Sequence, residues 1–274
     1  MRHARRSGHA DHAGRSPVTA RQQEENLRSG RCPQPSTEPA RRRNDPAQYD
    51  DLADAWWDVH GIFAMLHWLA AARGRLVPPA ARRDAVLLDL GCGGGLLGPH
   101  VQPKGYRHVG VDLNASALRH AAEHGVTAVR GDVLRLPFAD AVADVVSAGE
   151  ILEHVPDLDT AIAEACRVLR PGGRLVIDTI AATWLGRFIA VTLAERLAGG
   201  APRGIHDPAL FVDRDRLVAE CARHGVPVRL RGIRPSVRDV VSWGIGRRDS
   251  VRMVPLFTTA VLFQGYGVKE AGRR

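Results

Sequence analysis

Cysteine, lysine and aromatic residues are scarce in this chain of 274 residues, and long apolar runs are missing. The four cysteines, Cys32, Cys92, Cys166 and Cys221, lack the paired spacing of zinc and redox motifs, which favours a reduced, cytoplasmic protein. No stretch reaches the roughly 18 uninterrupted apolar residues that a membrane-spanning helix requires. The chain therefore does not resemble a disulfide scaffold, a small zinc module or an integral membrane protein.

The excess of basic charge lies mainly at the start of the chain. Residues 1–44 contain ten arginines and four acidic residues, and so carry most of the formal net charge of +8. The remainder is close to neutral, which argues against a nucleic-acid partner. The first segment has no aromatic residue and little apolar periodicity, and it lacks the apolar stretch of a secretory signal. We therefore predict a disordered basic tail over residues 1–44.

Residues 45–274 are predicted to form one α/β domain, because short apolar runs alternate with helical patterns. An aromatic segment from Trp56 to Leu69 indicates helix within an N-terminal helical cap over 48–80. Strands are predicted at 85–90, 109–113, 126–130, 142–148, 175–180, 228–233 and 260–266. Helices are predicted at 115–123, 158–169, 185–197 and 215–224, the second of these stopping at a Pro-Gly-Gly turn at 171–173. The alternation predicts a doubly wound, mostly parallel seven-stranded sheet with helices on both faces, and 181–274 would form the substrate side.

A glycine-rich loop follows the first predicted strand, in the sequence Asp89-Leu-Gly91-Cys-Gly93-Gly-Gly. A dinucleotide-binding loop requires a third glycine where Leu96 stands, which weakens that alternative. An acidic residue before the loop suits a cofactor that carries an ammonium group, such as S-adenosylmethionine. Asp112 ends the second strand, where a carboxylate can accept both ribose hydroxyls, and Asp132 follows the third strand, where a carboxylate could meet an adenine amino group.

The segments LDLGCGGG, GVDLN, GDV and RVLRPGG resemble the motif series of class I S-adenosylmethionine-dependent methyltransferases. Within that class, residues 48–220 are similar to the O-methyltransferases of ubiquinone biosynthesis, through Trp-Trp-Asp, Glu-x-x-Glu-His and Gly-x-His-Asp motifs. The resemblance implies the class I fold and cofactor contacts at Arg73, Gly91, Asp112 and Gly149. Together with the loop and strand-end reasoning, the predicted cofactor-binding residues are Arg73, Asp89, Gly91, Gly93, Asp112, Leu113, Asp132, Val133 and Gly149.

The chain departs from this family in two places. Ala71-Ala72 stand where the family has Asn-Pro, and the C-terminal third contains an additional Arg-rich stretch, 234–252. That third normally helps to shape the substrate side, so the departure concerns the identity of the acceptor more than the chemistry.

Four ionisable residues follow the fourth predicted strand: Glu150, Glu153, His154 and Asp157. Their spacing would place them on one face of a helix that begins near Glu150. A phenol-like acceptor needs help to ionise, since its pKa is near ~10, so Glu150, Glu153 and His154 are the candidate catalytic residues. Two carboxylates beside the imidazole should raise its pKa, which suits a divalent cation such as Mg²⁺, held by all four residues, better than a lone base. Ordinary helix-start chemistry is the remaining alternative.

The resemblance implies an O-methyltransferase that acts on a quinol, a phenol or a related hydroxyl of a small molecule. The alternatives are methylation of a specialised metabolite at a sugar hydroxyl, carbon or nitrogen, and a cofactor-binding module without turnover. His206-Asp207 is a second catalytic candidate, on a loop. The loosely amphipathic segment 184–197 would serve as a lid, as a cover for the sheet edge or as a peripheral membrane contact.

Overall fold

Eight strands form one sheet in the part of the chain that the structure, a computed structural model, describes: residues 43–50, 52–193 and 204–271. The strands are β1 Val86–Leu90, β2 Arg107–Asp112, β3 Thr127–Arg130, β4 Ala143–Gly149, β5 Leu169–Ile180, β6 Val228–Pro235, β7 Met253–Leu256 and β8 Leu262–Val268. Their order across the sheet is β3-β2-β1-β4-β5-β8-β6-β7. Strands β1 to β5 pair in parallel, whereas β8 runs antiparallel to both β5 and β6.

The central strands are apolar because both faces of the sheet are covered. Every residue of β4 is buried, as are four of the five residues of β1, which is typical of parallel strands in doubly wound sheets. The predicted fold class is confirmed, with one addition. Strand β7, which was not predicted, has four residues including Pro255 and pairs with β6. A proline cannot donate to the ladder, so such a strand is suited to an edge and gives little sequence signal.

The helices connect the strands across both faces of the sheet. They are α1 Ala64–Leu76, α2 Gly98–Val101, α3 Ala115–Glu123, α4 Leu158–Val168, α5 Trp184–Arg187, α6 Arg214–Arg223 and α7 Val237–Gly244. Helix α3 has the bounds that the sequence predicted, since the Asn114 side chain accepts hydrogen bonds from the amides of Ser116 and Ala117 and so fixes its start. A π-helical turn, Phe188–Leu193, follows α5, and the rest of the predicted helix 185–197 lies outside the described residues.

Two local predictions were wrong in detail. Residues 56–63 form turns instead of helix, because Asp58 accepts the amide of His60 at 2.9 Å through its side chain and the amide of Gly61 at 3.0 Å through its carbonyl. The Pro-Gly-Gly sequence 171–173 does follow a helix end, but it lies within β5, where the register with β4 shifts and Gly172 has a φ of 74°.

The largest apolar cluster packs α4 and α6 against one face of the central strands. A smaller cluster joins Trp56 and Phe63 of the N-terminal cap to Leu96 and Ala117, which lie after β1 and in α3. The cap is therefore held against the ends of the first strands, where ligands bind in doubly wound sheets. None of the described helices has the length and apolarity that crossing a membrane requires.

Candidate active site

A cavity of about 360 Å³ lies at the carboxyl ends of β1 to β4. Strands β2 and β4 flank β1 on opposite sides, so the chain order reverses here, and this switch point is the usual ligand site of doubly wound sheets. Eight of the nine predicted cofactor-binding residues line the cavity: Arg73, Gly91, Gly93, Asp112, Leu113, Asp132, Val133 and Gly149. Two of the three candidate catalytic residues, Glu150 and His154, line it as well.

The glycine loop is tied to β2 and covered by the cap. The amide of Gly93 donates to Asp112 Oδ2 at 2.9 Å, and the amide of Asn114 donates to Asp112 Oδ1 at 2.9 Å. Gly93 has a φ of 50°, and a Cβ there would lie 2.5 Å from the Trp56 ring. The glycines therefore allow Trp56 to pack on the loop, a role that the sequence did not indicate.

Asp89 is the predicted cofactor residue that does not line the cavity. It is 3% exposed and its Oδ2 lies 3.4 Å from Nε2 of His108 on β2. Burial raises the pKa of this carboxyl, but the hydrogen bond and charge of His108 and the charge of Arg73 outweigh burial, and the net shift is downward. The structure therefore gives Asp89 a place beneath the loop, as a buried anion facing His108 and Arg73.

Arg73 crosses the end of β4 and binds the neighbouring strand. Its Nη1 donates to Asp178 Oδ1 at 2.8 Å, and both side chains are at least nine-tenths buried. A Cβ on Gly149 would lie 1.2 Å from the same nitrogen, so only a glycine leaves room for the guanidinium. Asp178 stands opposite Gly149 in the β4–β5 register, which is how a side chain from α1 reaches the sheet.

Several buried carboxyl groups lie near Arg73, and three of them, unlike Asp89, have raised pKa values. Burial, followed by the charge of Glu153, raises the pKa of Glu150 well above its usual range. Burial also raises the pKa of Glu153 to about 7 and that of Asp178 to about 6. Glu150 adopts a φ of 51°, a left-handed conformation that is uncommon outside glycine. Strained backbone of this kind clusters at functional sites.

The four residues Glu150, Glu153, His154 and Asp157 do not share a helix face, and this prediction was wrong. Only a 3-10 turn, Leu152–His154, precedes α4, and Asp157 is the N-cap of that helix, accepting from the amide and hydroxyl of Thr160. Glu153 is fully buried and accepts from Thr179 Oγ1 at 2.7 Å. Across the described ranges, no group of three or more His, Cys, Asp or Glu side chains is arranged to hold a metal ion. The predicted four-residue cation site is therefore not assembled.

His154 is held on three sides by aromatic and polar side chains. Its Nδ1 lies 2.6 Å from Asn44 Oδ1, its ring stacks on that of His206 at 5.5 Å, and the Tyr49 ring meets it edge-on at 6.4 Å. Burial, followed by the charge of His206, lowers the pKa of His154 to about 3. The prediction that neighbouring carboxylates raise the pKa of His154 was therefore wrong. Burial of the imidazole decides the direction of the shift, and Glu153 is bound to Thr179 instead.

Of the second catalytic candidate, His206-Asp207, only His206 lines the cavity, whereas Asp207 caps a turn by accepting the amide of Ala209. Other residues of this site were not found from the sequence. Asp178 interrupts an apolar strand, which is a signal for a buried partner. Tyr49 and Asn44 gave no such signal, and Asn44, which lies within the segment predicted as tail, is 110 residues from His154 in sequence.

Comparison with known proteins agrees with this arrangement. Residues 88–177 match the family profile described as a methyltransferase domain. A solved S-adenosylmethionine-dependent methyltransferase from Thermotoga maritima superposes with a TM-score of 0.56 at 17% identity, covering 81% of this chain and 97% of that one. The fold, with its cavity at the switch point, is that of a class I S-adenosylmethionine-dependent methyltransferase.

Relatives with closer sequences identify the family within that class. The ubiquinone biosynthesis O-methyltransferase of Ralstonia nicotianae is 32% identical over 208 residues, which cover 69% of this chain and 84% of the relative. The protein of the same name from Paraburkholderia xenovorans is 36% identical over 185 residues, covering 63% and 78%. The chain belongs to the ubiquinone biosynthesis O-methyltransferase family and is an S-adenosylmethionine-dependent O-methyltransferase that acts on a small molecule.

Proposed function

We propose that this enzyme methylates a hydroxyl of a quinol- or phenol-type acceptor, and that His154 accepts the hydroxyl proton. The observation that carries the proposal is that the His154 imidazole lines the same cavity as Asp112 and the glycine loop, where burial lowers its pKa and so favours the neutral form. The relatives named above support the acceptor class, since their name refers to O-methylation in ubiquinone biosynthesis.

The residues at the strand ends fit S-adenosylmethionine. Each Asp112 oxygen accepts one backbone amide and has a second lone pair, so the carboxylate can still bind the two ribose hydroxyls. The side chains of Leu113 and Val133 supply apolar walls for the adenine, and Asp132 lies at the next strand end for its amino group. Gly91 and Gly93 supply backbone that can approach the ligand closely.

Arg73 and Glu150 fit the charged, methionyl end of the cofactor. The buried Nε of Arg73 and the buried Oε1 of Glu150 have no hydrogen-bond partner within the described residues. A guanidinium nitrogen suits the cofactor carboxylate and a carboxyl oxygen suits its ammonium group. Buried polar atoms without partners are costly, so a ligand that satisfies both is favoured.

When bound, S-adenosylmethionine supplies a methyl group on a positively charged sulfur, which an oxygen nucleophile can accept. His154 contributes a neutral imidazole, because burial lowers its pKa to about 3, so at neutral pH one ring nitrogen carries a hydrogen and the other has a free lone pair. As the new C–O bond forms, the acceptor oxygen loses electron density and its hydroxyl becomes strongly acidic, so the proton moves to the free lone pair of His154. Glu153 does not line the cavity and accepts a hydrogen bond from Thr179, so the proposal gives it no part in the proton transfer.

The test measures methyl transfer to a simple catechol or quinol, together with binding of S-adenosylhomocysteine by calorimetry. His154→Ala is expected to lower kcat by ~10²–10⁴, the usual effect of losing a general base. The affinity for S-adenosylhomocysteine should be unchanged. His120→Ala on α3, where the side chain pairs with Glu123 at 3.5 Å, is the matched control. Full activity in His154→Ala would refute the proposal. Loss of transfer in the parent enzyme on adding a chelator, with binding intact, would assign the ionisation to a cation instead.

Exposed aromatic residues on α5 and on the π-helical turn that follows it support a second part of the proposal, a peripheral contact with lipid. Trp184 is 78% exposed and Phe188, one turn further on, is 53% exposed. Aromatic side chains exposed in this way are suited to the lipid interface, where an apolar acceptor would reside. Co-sedimentation with anionic vesicles should fall in the double variant Trp184→Ser, Phe188→Ser and be retained in Val268→Ser on β8. Equal binding by all three proteins would contradict the contact.

A further inference from the structure

We propose that Asn44 is a positioning residue that fixes the tautomer of His154, leaving Nε2 as the nitrogen that accepts the substrate proton. This inference rests on the proposed role of His154 as the base. It concerns a residue that precedes the methyltransferase domain match by 44 positions, since that match begins at residue 88.

Two hydrogen bonds join Asn44 to His154. The Asn44 Nδ2 donates to the backbone carbonyl of His154 at 2.9 Å, and Asn44 Oδ1 lies 2.6 Å from His154 Nδ1. One amide group thus binds both the backbone and the ring of the same residue. Such a two-point contact holds the imidazole at a fixed angle relative to its own main chain.

The carbonyl settles which way the amide faces. A backbone carbonyl can only accept, so the nitrogen of the Asn44 amide must face it and the oxygen must face the ring. An amide oxygen can also only accept, so Nδ1 of His154 must carry the hydrogen. In a neutral imidazole the other nitrogen then has the lone pair. The geometry therefore selects Nε2 as the basic atom, without any further assumption about the ligand.

The local backbone makes asparagine well suited to this position. Asn44 has a φ of 59°, in the left-handed region, which asparagine tolerates better than most other residues. The backbone N–H of Asn44 donates to the backbone carbonyl of Gly204 at 3.1 Å, in the segment that leads to His206. The nearby His206 ring stacks on His154 from another side. Asn44 thus couples the N-terminal part of the described chain to the two histidines of the cavity.

The tautomer can be read directly from the full-length protein. Histidine labelled with ¹⁵N gives distinct nitrogen shifts for protonated and unprotonated ring positions, and His154→Gln assigns the signal. We expect the Nδ1–H form for His154 in the parent and mixed forms in Asn44→Ala. Gln48→Ala is the matched control, since the Gln48 amide donates to the Gly204 carbonyl at 3.4 Å, and it should leave the His154 signal unchanged.

Kinetics provide the second readout. Asn44→Ala should lower kcat by roughly tenfold or more, towards the ~10⁴-fold seen where a catalytic histidine takes the wrong tautomer, with KM for the cofactor unchanged. Asn44→Asp keeps an acceptor opposite Nδ1 and should recover part of the loss. A parent signal in the Nε2–H form, or a signal that Asn44→Ala does not alter, would overturn the inference. If the Nδ1–H form is found but His154→Ala turns over normally, the tautomer assignment stands and the base role fails.

Discussion

The two ends of the cavity are built in different ways. The cofactor end is formed mainly by backbone and by residues at strand ends: Gly93, in the loop after β1, and Asp112, at the end of β2, are 19 residues apart and joined by a hydrogen bond. At the acceptor end, side chains converge from distant parts of the chain, as the bond between Asn44 and His154 across 110 residues illustrates. One end depends on the regular geometry of the sheet, and the other on how loops pack over it.

This difference has a functional consequence. The sheet fixes the cofactor end wherever the same strand order occurs, so it can remain constant while acceptors differ. The acceptor end has no such template: Tyr49, whose ring meets that of His154 at 6.4 Å, comes from the cap, where it stacks on Trp56 at 5.9 Å and on Phe63 at 6.2 Å. Changes at the two ends should therefore separate into effects on cofactor affinity and effects on turnover.

The largest expected effect is on cofactor affinity. Asp112→Ala removes a charged acceptor for two ribose hydroxyls, at about 1.5–3 kcal/mol for each hydrogen bond, so the Kd for S-adenosylhomocysteine should rise at least about 100-fold. Calorimetry measures this Kd. Asp132 at the neighbouring strand end is exposed, so Asp132→Ala should raise the Kd much less. An Asp112→Ala enzyme that binds normally but turns over slowly would reverse the division between the two ends.

The second largest effect is expected where the cofactor and acceptor ends of the cavity meet, because Gly149 there leaves room for Arg73. Gly149→Ala places a Cβ 1.2 Å from the Arg73 Nη1 and should break its pair with Asp178. Breaking a buried pair costs about 3–5 kcal/mol, which would appear as a lower midpoint in urea. Gly98→Ala in α2 is the control, because its Cβ would meet nothing nearer than 3.6 Å. Equal midpoints in the two variants would mean that the guanidinium is free to move.

The same contrast explains what could be predicted from sequence. The loop, Asp112 and the parallel strands were predictable because short local patterns repeat at successive strand ends, where the fold brings them together. The position of Asp89 was not, since strand alternation and the contact with His108 on the neighbouring strand decide where the carboxylate lies. The spacing from Glu150 to Asp157 would have placed four side chains on one face of a helix beginning near Glu150, but a left-handed Glu150 and the Asp157 cap prevent such a helix.

At the acceptor end, prediction failed for a different physical reason. His154 was recognised by its motif, but the direction of its pKa shift depends on burial and on His206, which only the tertiary structure supplies. Asn44 lies within a polar, Arg-rich segment, and nothing local marks it as different from its neighbours. Contacts between distant loops leave no periodic pattern, so they cannot be read from one sequence.

A smaller effect is expected at Glu153, and it should depend on pH. Its pKa is raised from 4.5 to about 7, chiefly by burial, so the folded state holds the proton more tightly than the unfolded state. That contribution to stability is fully present below pH 4.5 and is lost as pH rises through 7. Glu153→Gln cannot ionise and can still accept from Thr179, so relative to the parent it should gain about 1–3 kcal/mol above pH 7.

Urea denaturation from pH 4.5 to 8 measures this gain, and Glu164→Gln is a control of opposite sign. The hydrogen bond from Arg167 lowers the pKa of Glu164, so its contribution is present at neutral pH and lost on acidification. Glu164→Gln should therefore be less stable than the parent at pH 7, with a deficit that shrinks as pH falls. A pH-independent difference for Glu153→Gln would show that folding does not raise the pKa of Glu153.

The smallest effect is expected at Asp157, which belongs to neither end of the cavity. Its carboxylate caps α4 by accepting the amide of Thr160 at 3.1 Å, so Asp157→Ala should lower the midpoint in urea slightly and leave methyl transfer unchanged. Asp213 caps α6 in the same way, accepting the amide of Asp215 at 2.9 Å, and Asp213→Ala should lose a similar amount. Matching losses in urea with parental kcat in both variants would identify Asp157 as a helix cap. A tenfold fall in kcat confined to Asp157→Ala would instead place its carboxylate in the chemistry, and the acceptor end would then extend to the start of α4.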